Sequence, residues 1–142
     1  MARKKQKSLA KLSEQAAEFL QLLVRLKAAD EEGYVSCVTC GVTRHYKDSM
    51  QGGHFISRKW TATRLLEGNI HPQCSYCNGP LRGNMVAYTL YMIDMYGREF
   101  VDELEIRKNQ TKKFNRCELE DQIKEWRGLI RDLESKVLGV AA

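Results

Sequence analysis

From Leu9 the apolar residues fall at Leu9, Leu12, Ala16, Phe19, Leu23 and Leu26. Alternating steps of three and four put them on one face of a helix, as a heptad seam. The pattern stops near Asp30–Gly33. A second seam runs through Leu119, Ile123, Trp126, Ile130, Leu133 and Val137. Asn115 and Glu118 precede it with the spacing of a capping box. Each seam covers under three heptads, short for an independent coiled coil. The pattern therefore predicts two helices that pack on each other within one chain or on a second copy.

Between the seams the pattern is shorter and more polar. Tyr34-Val35-Ser36 reads as a short strand, and Gly41 permits a tight turn after it. Phe55-Ile56 and Arg64-Leu65-Leu66 read as two short strands joined by a polar loop. Cys74–Asn78 opens a helical turn that Gly79-Pro80 interrupts. A helix is predicted over Asn84–Tyr96, with Val86, Leu90 and Ile93 on one face and Gly97 as its stop. Residues 99–105 add a further turn or two, and Arg107–Lys113 is a polar connector. The fold class expected is α+β, mainly helical. Residues 1–8 form a basic arm, 9–32 an N-terminal helix, 33–84 a metal-stabilised module, and 85–142 a helical region. No apolar run approaches the ~18 residues of a membrane span. The basic N-terminus lacks the apolar stretch and cleavage site of a secretory signal.

Charge sharpens this division. Residues 1–13 carry Arg3, Lys4, Lys5, Lys7 and Lys11 and no acid, for +5. Residues 14–43 sum to −3, residues 44–82 to +4 and residues 83–142 to −1. The positive excess sits on the arm and on the module, which suits a polyanion and most often nucleic acid.

Five cysteines are present, four of them as Cys-x-x-Cys pairs, Cys37/Cys40 and Cys74/Cys77. Two such knuckles supply the four thiolates of one closed, tetrahedral structural zinc site. Paired knuckles with an odd cysteine left over point to a reducing, cytoplasmic setting. The 33 residues between Cys40 and Cys74 exceed a zinc ribbon's usual loop and leave room for an inserted hairpin. Cys117 is expected to be a buried helix cysteine.

Inside that loop lies chemistry. His54 follows two glycines, which let a backbone or substrate approach closely. An imidazole can take the proton from a water attacking phosphorus. The amide of Asn69 can both donate and accept, so it can hold a loop against the histidine strand. Asn78 follows Cys77 directly, and its amide oxygen suits a hard cation. Arg58, Lys59, Arg64 and Arg82 are placed to meet phosphates, with Arg3, Lys4, Lys5 and Lys7 of the arm. Trp60 reads as cover for the small core, with base stacking as its other use.

The order His54, Asn69, Asn78 resembles the pattern of the HNH, or ββα-metal, endonucleases. Two Cys-x-x-Cys knuckles with Asn after the last cysteine look like the endonuclease VII branch. Gly53-His54-Phe55-Ile56-Ser57-Arg58, with Asn69-x-His71-x-Gln73-Cys74-x-x-Cys77-Asn78, is closer still to the lambda NinG (Rap) family of phage recombination endonucleases. The motif likeness covers about residues 35–84. It implies a zinc-stabilised ββα-metal module flanked by heptad helices. It also implies a metal-dependent endonuclease acting on branched DNA such as Holliday junctions and D-loops. In that reading His54 is the general base and Asn69 orients the catalytic loop. Asn78 binds the catalytic Mg2+ or Mn2+. A homodimer would present two sites to two opposed strands, and no small-molecule cofactor is expected. One position departs. Many HNH enzymes carry Asp or His before the base as a second metal ligand, and here it is Gly53. His71 is the first candidate replacement, with Asp48, Gln51 and Glu67 behind it. Two other readings stand beside this one: a less selective HNH nuclease or nickase, and a non-catalytic zinc module that binds DNA.

Overall fold

A computed structural model describes residues 5–137. Its elements are α1 (Leu9–Ala28), β1 (Tyr34–Ser36), β2 (Thr43–His45), β3 (Met50–His54), α2 (Thr61–Arg64), β4 (Ile70–Cys74), α3 (Ser75–Asn78), α4 (Met85–Tyr96), α5 (Arg98–Arg107) and α6 (Arg116–Lys136). A 3-10 turn, Glu67–Asn69, leads into β4. The chain is α+β and mainly helical, with two small antiparallel sheets. No described helix is long and apolar enough to cross a membrane.

The two heptad helices form where the pattern predicts them. Ser8 caps α1, its hydroxyl accepting from the Lys11 N–H at 3.2 Å, which satisfies one of the free donors of the first turn. Asn115 caps α6, accepting from the Glu118 N–H at 2.8 Å. The two seams meet within the one chain. Leu12, Ala16, Leu20 and Leu23 of α1 share a core with Leu119, Ile123, Trp126 and Ile130 of α6. Of the two packings the pattern allows, the described residues take the one within the chain, and these faces are engaged internally. The chain between them is tied to the same core. Arg25 of α1 donates to the Tyr46 and Met50 carbonyls at 3.0 and 2.8 Å. Tyr46 donates to Glu134 of α6 at 2.8 Å.

β1 pairs with β2 through Val35↔Arg44. β3 pairs with β4 from Met50↔Cys74 to His54↔Ile70. This second hairpin corrects the strands expected at Phe55-Ile56 and Arg64–Leu66. Phe55 and Ile56 are buried just beyond the end of β3. Arg64 ends α2, and Leu65 and Leu66 bridge to the 3-10 turn. The true strands were hidden because β3 is Met-Gln-Gly-Gly-His and β4 contains Pro72. Neither shows apolar alternation, and both glycine and proline usually argue against a strand.

Three other expectations change. α4 does run to Tyr96, with Gly97 at its C-cap at φ +89°. However, it buries Tyr88 and Met92, and Val86 and Leu90 are 79 % and 64 % exposed. With Asp94 as its one charged residue, α4 is apolar nearly all round. Periodicity therefore cannot pick its inner face. Tyr88 and Met92 pack with Phe55, Ile56, Val101 and Leu104 in a second core. Cys117 is exposed, in the first turn of α6. In the arm, Arg3 and Lys4 lie outside the described residues. Lys5 is exposed, and Lys7 is held between both long helices. Its ammonium donates to Gln15 at 3.0 Å and its carbonyl accepts from Arg116 at 2.7 Å.

Candidate functional site

The first knuckle follows β1. Cys37 N–H donates to the Val42 carbonyl and Gly41 N–H to the Cys37 carbonyl, at 2.8 and 2.9 Å. That tight turn needs Gly41 at φ +81°. The second knuckle runs from the last residue of β4 into α3, where Cys74 sulfur accepts from the Cys77 N–H at 3.4 Å. The four cysteine sulfurs lie within 4.8 Å of one another. Cys40 and Cys74 sulfurs are 3.7 Å apart. A tetrahedral site with ~2.3 Å Zn–S bonds has edges of about 3.8 Å. The cluster could therefore hold a metal ion such as zinc, with little movement.

His54 ends β3, half-buried. Its Nε2 lies 3.0 Å from the Arg64 carbonyl oxygen. A carbonyl can only accept, so the ring proton sits on Nε2 and Nδ1 keeps its lone pair. Burial pushes the imidazole down to about 4. The Arg64 hydrogen bond opposes this, and the Arg58 and Arg64 charges add to it. At neutral pH the ring is thus neutral with one basic nitrogen.

Asn69 is fully buried. Its oxygen accepts from the Ile56 N–H at 2.7 Å, and its amide donates to the Ile56 and Thr63 carbonyls at 3.0 and 3.1 Å. Phe55 N–H donates to the Asn69 carbonyl at 2.8 Å. One side chain thereby folds the 55–63 loop back on β4 and brings the Arg64 carbonyl to His54.

Asn78 ends α3, one residue after Cys77, so the knuckle sets its position. Its amide donates to Gln51 of β3 at 2.7 Å. His54 and Asn78 line one cavity of about 550 Å³. Arg58, Lys59, Arg82 and Lys108 line it as well, and Glu105 is the single acid among them. A concave site with this surplus of cations favours an anionic ligand.

Three comparisons bear on this geometry. The family profile described as Bacteriophage Lambda NinG protein matches residues 1–136. The chain belongs to the NinG family. It is similar to the Protein ninG of Escherichia phage 933W, 32 % identical over 97 residues. Against that of Escherichia phage lambda it is 31 % identical over 97 residues. Either match covers 68 % of this chain and 45 % of the relative, so the matched segment spans under half of those NinG proteins. The Protein ninG of Enterobacteria phage H19B is 45 % identical over 47 residues, 33 % of this chain and 23 % of that one. No solved structure matches.

Not every NinG-like position converges on the cavity. His71 pairs with Gly53, one row from His54, so alternation sends the two rings to opposite faces. Both His71 nitrogens are engaged, with Tyr88 OH at 3.1 Å and Tyr96 OH at 2.7 Å. His71 faces a separate cleft beside Pro72, Tyr91 and Tyr96. It is corrected from a metal-ligand candidate to a structural residue: Tyr88 in turn donates to the Gly53 carbonyl at 2.7 Å and so braces the residue before His54. Glu67 lines that same far cleft and pairs with Lys27 at 2.6 Å. Asp48 accepts from Ser49 at 3.3 Å and does not line the His54 cavity. Arg64 contributes its carbonyl and its charge from behind His54 and does not line the cavity.

Trp60 packs partly buried on the second core, with the Lys59 and Lys108 ammonium groups 5.1 and 5.5 Å from its ring. Sequence reasoning missed Glu105, Lys108 and Tyr88, which come from helices with no motif spacing to the knuckles. It also missed why position 53 is glycine. A Cβ there would overlap the Gln73 amide oxygen. Gln73 is fully buried, its amide donating to Thr39 and to the Gly83 carbonyl at 3.1 and 2.8 Å.

Proposed function

We propose that this NinG-family chain is a metal-dependent endonuclease of the HNH, ββα-metal type, acting on branched DNA such as Holliday junctions and D-loops. The observation that carries the reading is the His54 geometry. A neutral imidazole with its proton fixed on Nε2 shares a cationic cavity with Asn78. In this mechanism Nδ1 takes the proton from a water that attacks the scissile phosphorus. Arg58, Lys59 and Arg82 bind the flanking phosphates and offset charge that grows on the phosphoryl oxygens. Phosphate charge near His54 also raises its basicity, opposing Arg58 and Arg64. Asn69 positions the loop, and the zinc knuckle positions Asn78. Asn78, half-buried in the cavity wall, has an amide oxygen of the type that would hold a hard divalent cation, Mg2+ or Mn2+. When bound, such an ion would supply Lewis-acid stabilisation of the leaving oxygen.

The preference for branched DNA rests on the resemblance of the His54–Asn78 motif to the phage recombination endonucleases, while the cavity's cations would meet the backbone phosphates of a junction or a duplex alike. A homodimer would place two such sites on opposed strands of a junction. The test is cleavage of a labelled four-way junction and a matched linear duplex with Mg2+ or Mn2+. Selective cutting of the junction is expected. Equal cutting of both would make the chain a general HNH nuclease. Binding without cutting would support the non-catalytic zinc module, for which the absence of a side chain at Gly53 speaks.

A further inference from the structure

Helix α4 is 12 residues long and carries one charge, Asp94. A helix that is apolar nearly all round is normally covered nearly all round. Here one side alone is covered, where Tyr88 and Met92 pack into the second core. Val86 and Leu90, one turn apart on the opposite side, are mostly exposed. Leu81 and Met85 extend the exposed apolar surface at the start of the helix. The seams of α1 and α6 are packed on each other, so they offer no such face to a partner.

The two ends of α4 differ in charge. Arg82 precedes the helix, the first turn holds no acid, and the N-cap Asn84 makes no side-chain capping bond, so that end is positive. Asp94 lies in the last turn, which holds no base, so that end is negative. Arg98 and Glu99, just beyond, offset each other. Arg82 and Asp94 are exposed, and neither has an ion-pair partner among the described residues.

We propose that the outer face of α4 is the surface on which a second copy of this chain docks, the two α4 helices running antiparallel across a two-fold axis. A two-fold contact must be complementary to itself. Antiparallel pairing centred between Val86 and Leu90 meets that condition. Val86 then faces the partner's Leu90, and the Asp94 end of one helix comes to the Arg82 end of the other, beside its free N–H groups. Parallel pairing would set Asp94 against its own copy. A lipid surface fits poorly, because α4 has no Lys or Arg to flank its apolar face. Three turns of helix bury less than the ~800 Å² per partner of a standard interface, so association in the micromolar range is expected. Met85, in the first turn of α4, also lines the His54 cavity, which puts the two-fold axis close to both sites. The use of the pair, one cut on each of two opposed strands, rests on the nuclease reading; the contact itself does not.

The experiment is sedimentation of the zinc-loaded full chain without DNA, across the micromolar range. The parent is compared with Leu90→Asp, Asp94→Arg, the double variant Asp94→Arg/Arg82→Asp, and Leu129→Asp, which alters an exposed leucine on α6. All these positions are exposed, and folding of each variant is checked by circular dichroism. The parent is expected to dimerise. Leu90→Asp should raise the dissociation constant by about tenfold or more, and Asp94→Arg by about fivefold. Adding Arg82→Asp to Asp94→Arg should restore it to within about twofold of the parent, and Leu129→Asp should leave it unchanged. A parent that stays monomeric throughout would overturn the proposal, and its capture by anionic lipid vesicles would assign the face to a membrane instead. A dimer indifferent to Leu90→Asp, one broken by Leu129→Asp, or a charge exchange that fails to restore pairing would overturn it as well. Junction cutting by a monomeric parent would sink this inference and leave the nuclease reading standing; a dimer that cuts nothing would do the reverse.

Discussion

At position 53 a single hydrogen atom is all the structure tolerates. The Gln73 amide is pinned by Thr39 and Gly83, so it cannot yield to an added methyl. Gly53→Ala should cost about 1–3 kcal/mol, the range for overpacking, read by urea unfolding. Asn69 is the other residue with no substitute. Asn69→Ala leaves the Ile56 N–H and two carbonyls without their partner. A loss of about 3 kcal/mol is expected in the same assay. His71 gives a pH signature. Burial pushes its imidazole down to about 4, with the Glu67 charge opposing, against ~6.5 in the unfolded chain. Between those values the unfolded state binds the extra proton, so stability falls as pH drops from 6.5 toward 4 and is fully present above 6.5. His54 contributes in the same direction. Unfolding of His71→Asn should therefore lose less stability than the parent over that window. Parallel pH curves for the two proteins would contradict it.

Among the elements, α1 and α6 were legible because each is amphipathic, and Asn115 with Glu118 marks the start of α6 by local chemistry; the Ser8 cap of α1 emerged only from the structure. The hairpin of β3 and β4 was not. Its residues were selected for close approach and for site chemistry, so Gly52, Gly53 and Pro72 replace the alternation that marks a strand. The inner face of α4 was illegible for the opposite reason, too many apolar residues. What orients α4 is one hydroxyl, Tyr88 to the Gly53 carbonyl, along with the contacts of Met92. Tyr88→Phe keeps the ring and removes that bond. It should cost about 1–2 kcal/mol, since the Gly53 carbonyl and His71 both lose a partner. Chemical denaturation would register that change without loss of helix content in the folded baseline.

For the molecule as a whole, the two long helices form a clamp and the cysteine cluster organises what lies between them. The motif residues His54, Asn69 and Asn78 were all visible in the sequence, because knuckle spacing and neighbouring glycines mark them. The cavity's far wall was not, because Glu105 and Lys108 reach it only through the packing of α5. With zinc held by the four cysteines, removing it would take away the link that joins the two ends of the segment from Tyr34 to Asn84. A strong chelator should abolish the compact form of that segment while the α1–α6 pair keeps helical signal, readable by far-ultraviolet circular dichroism with Trp60 fluorescence in a Trp126→Phe background.

The most direct test of the account compares the parent with His54→Ala, each with zinc content and circular dichroism verified. Junction cleavage in Mn2+ or Mg2+ is followed under single-turnover conditions. The account predicts a loss of about 10²–10⁴-fold in the cleavage rate, the range for removing a general base, with zinc and fold retained. Undiminished cutting by a folded, zinc-loaded His54→Ala would contradict it.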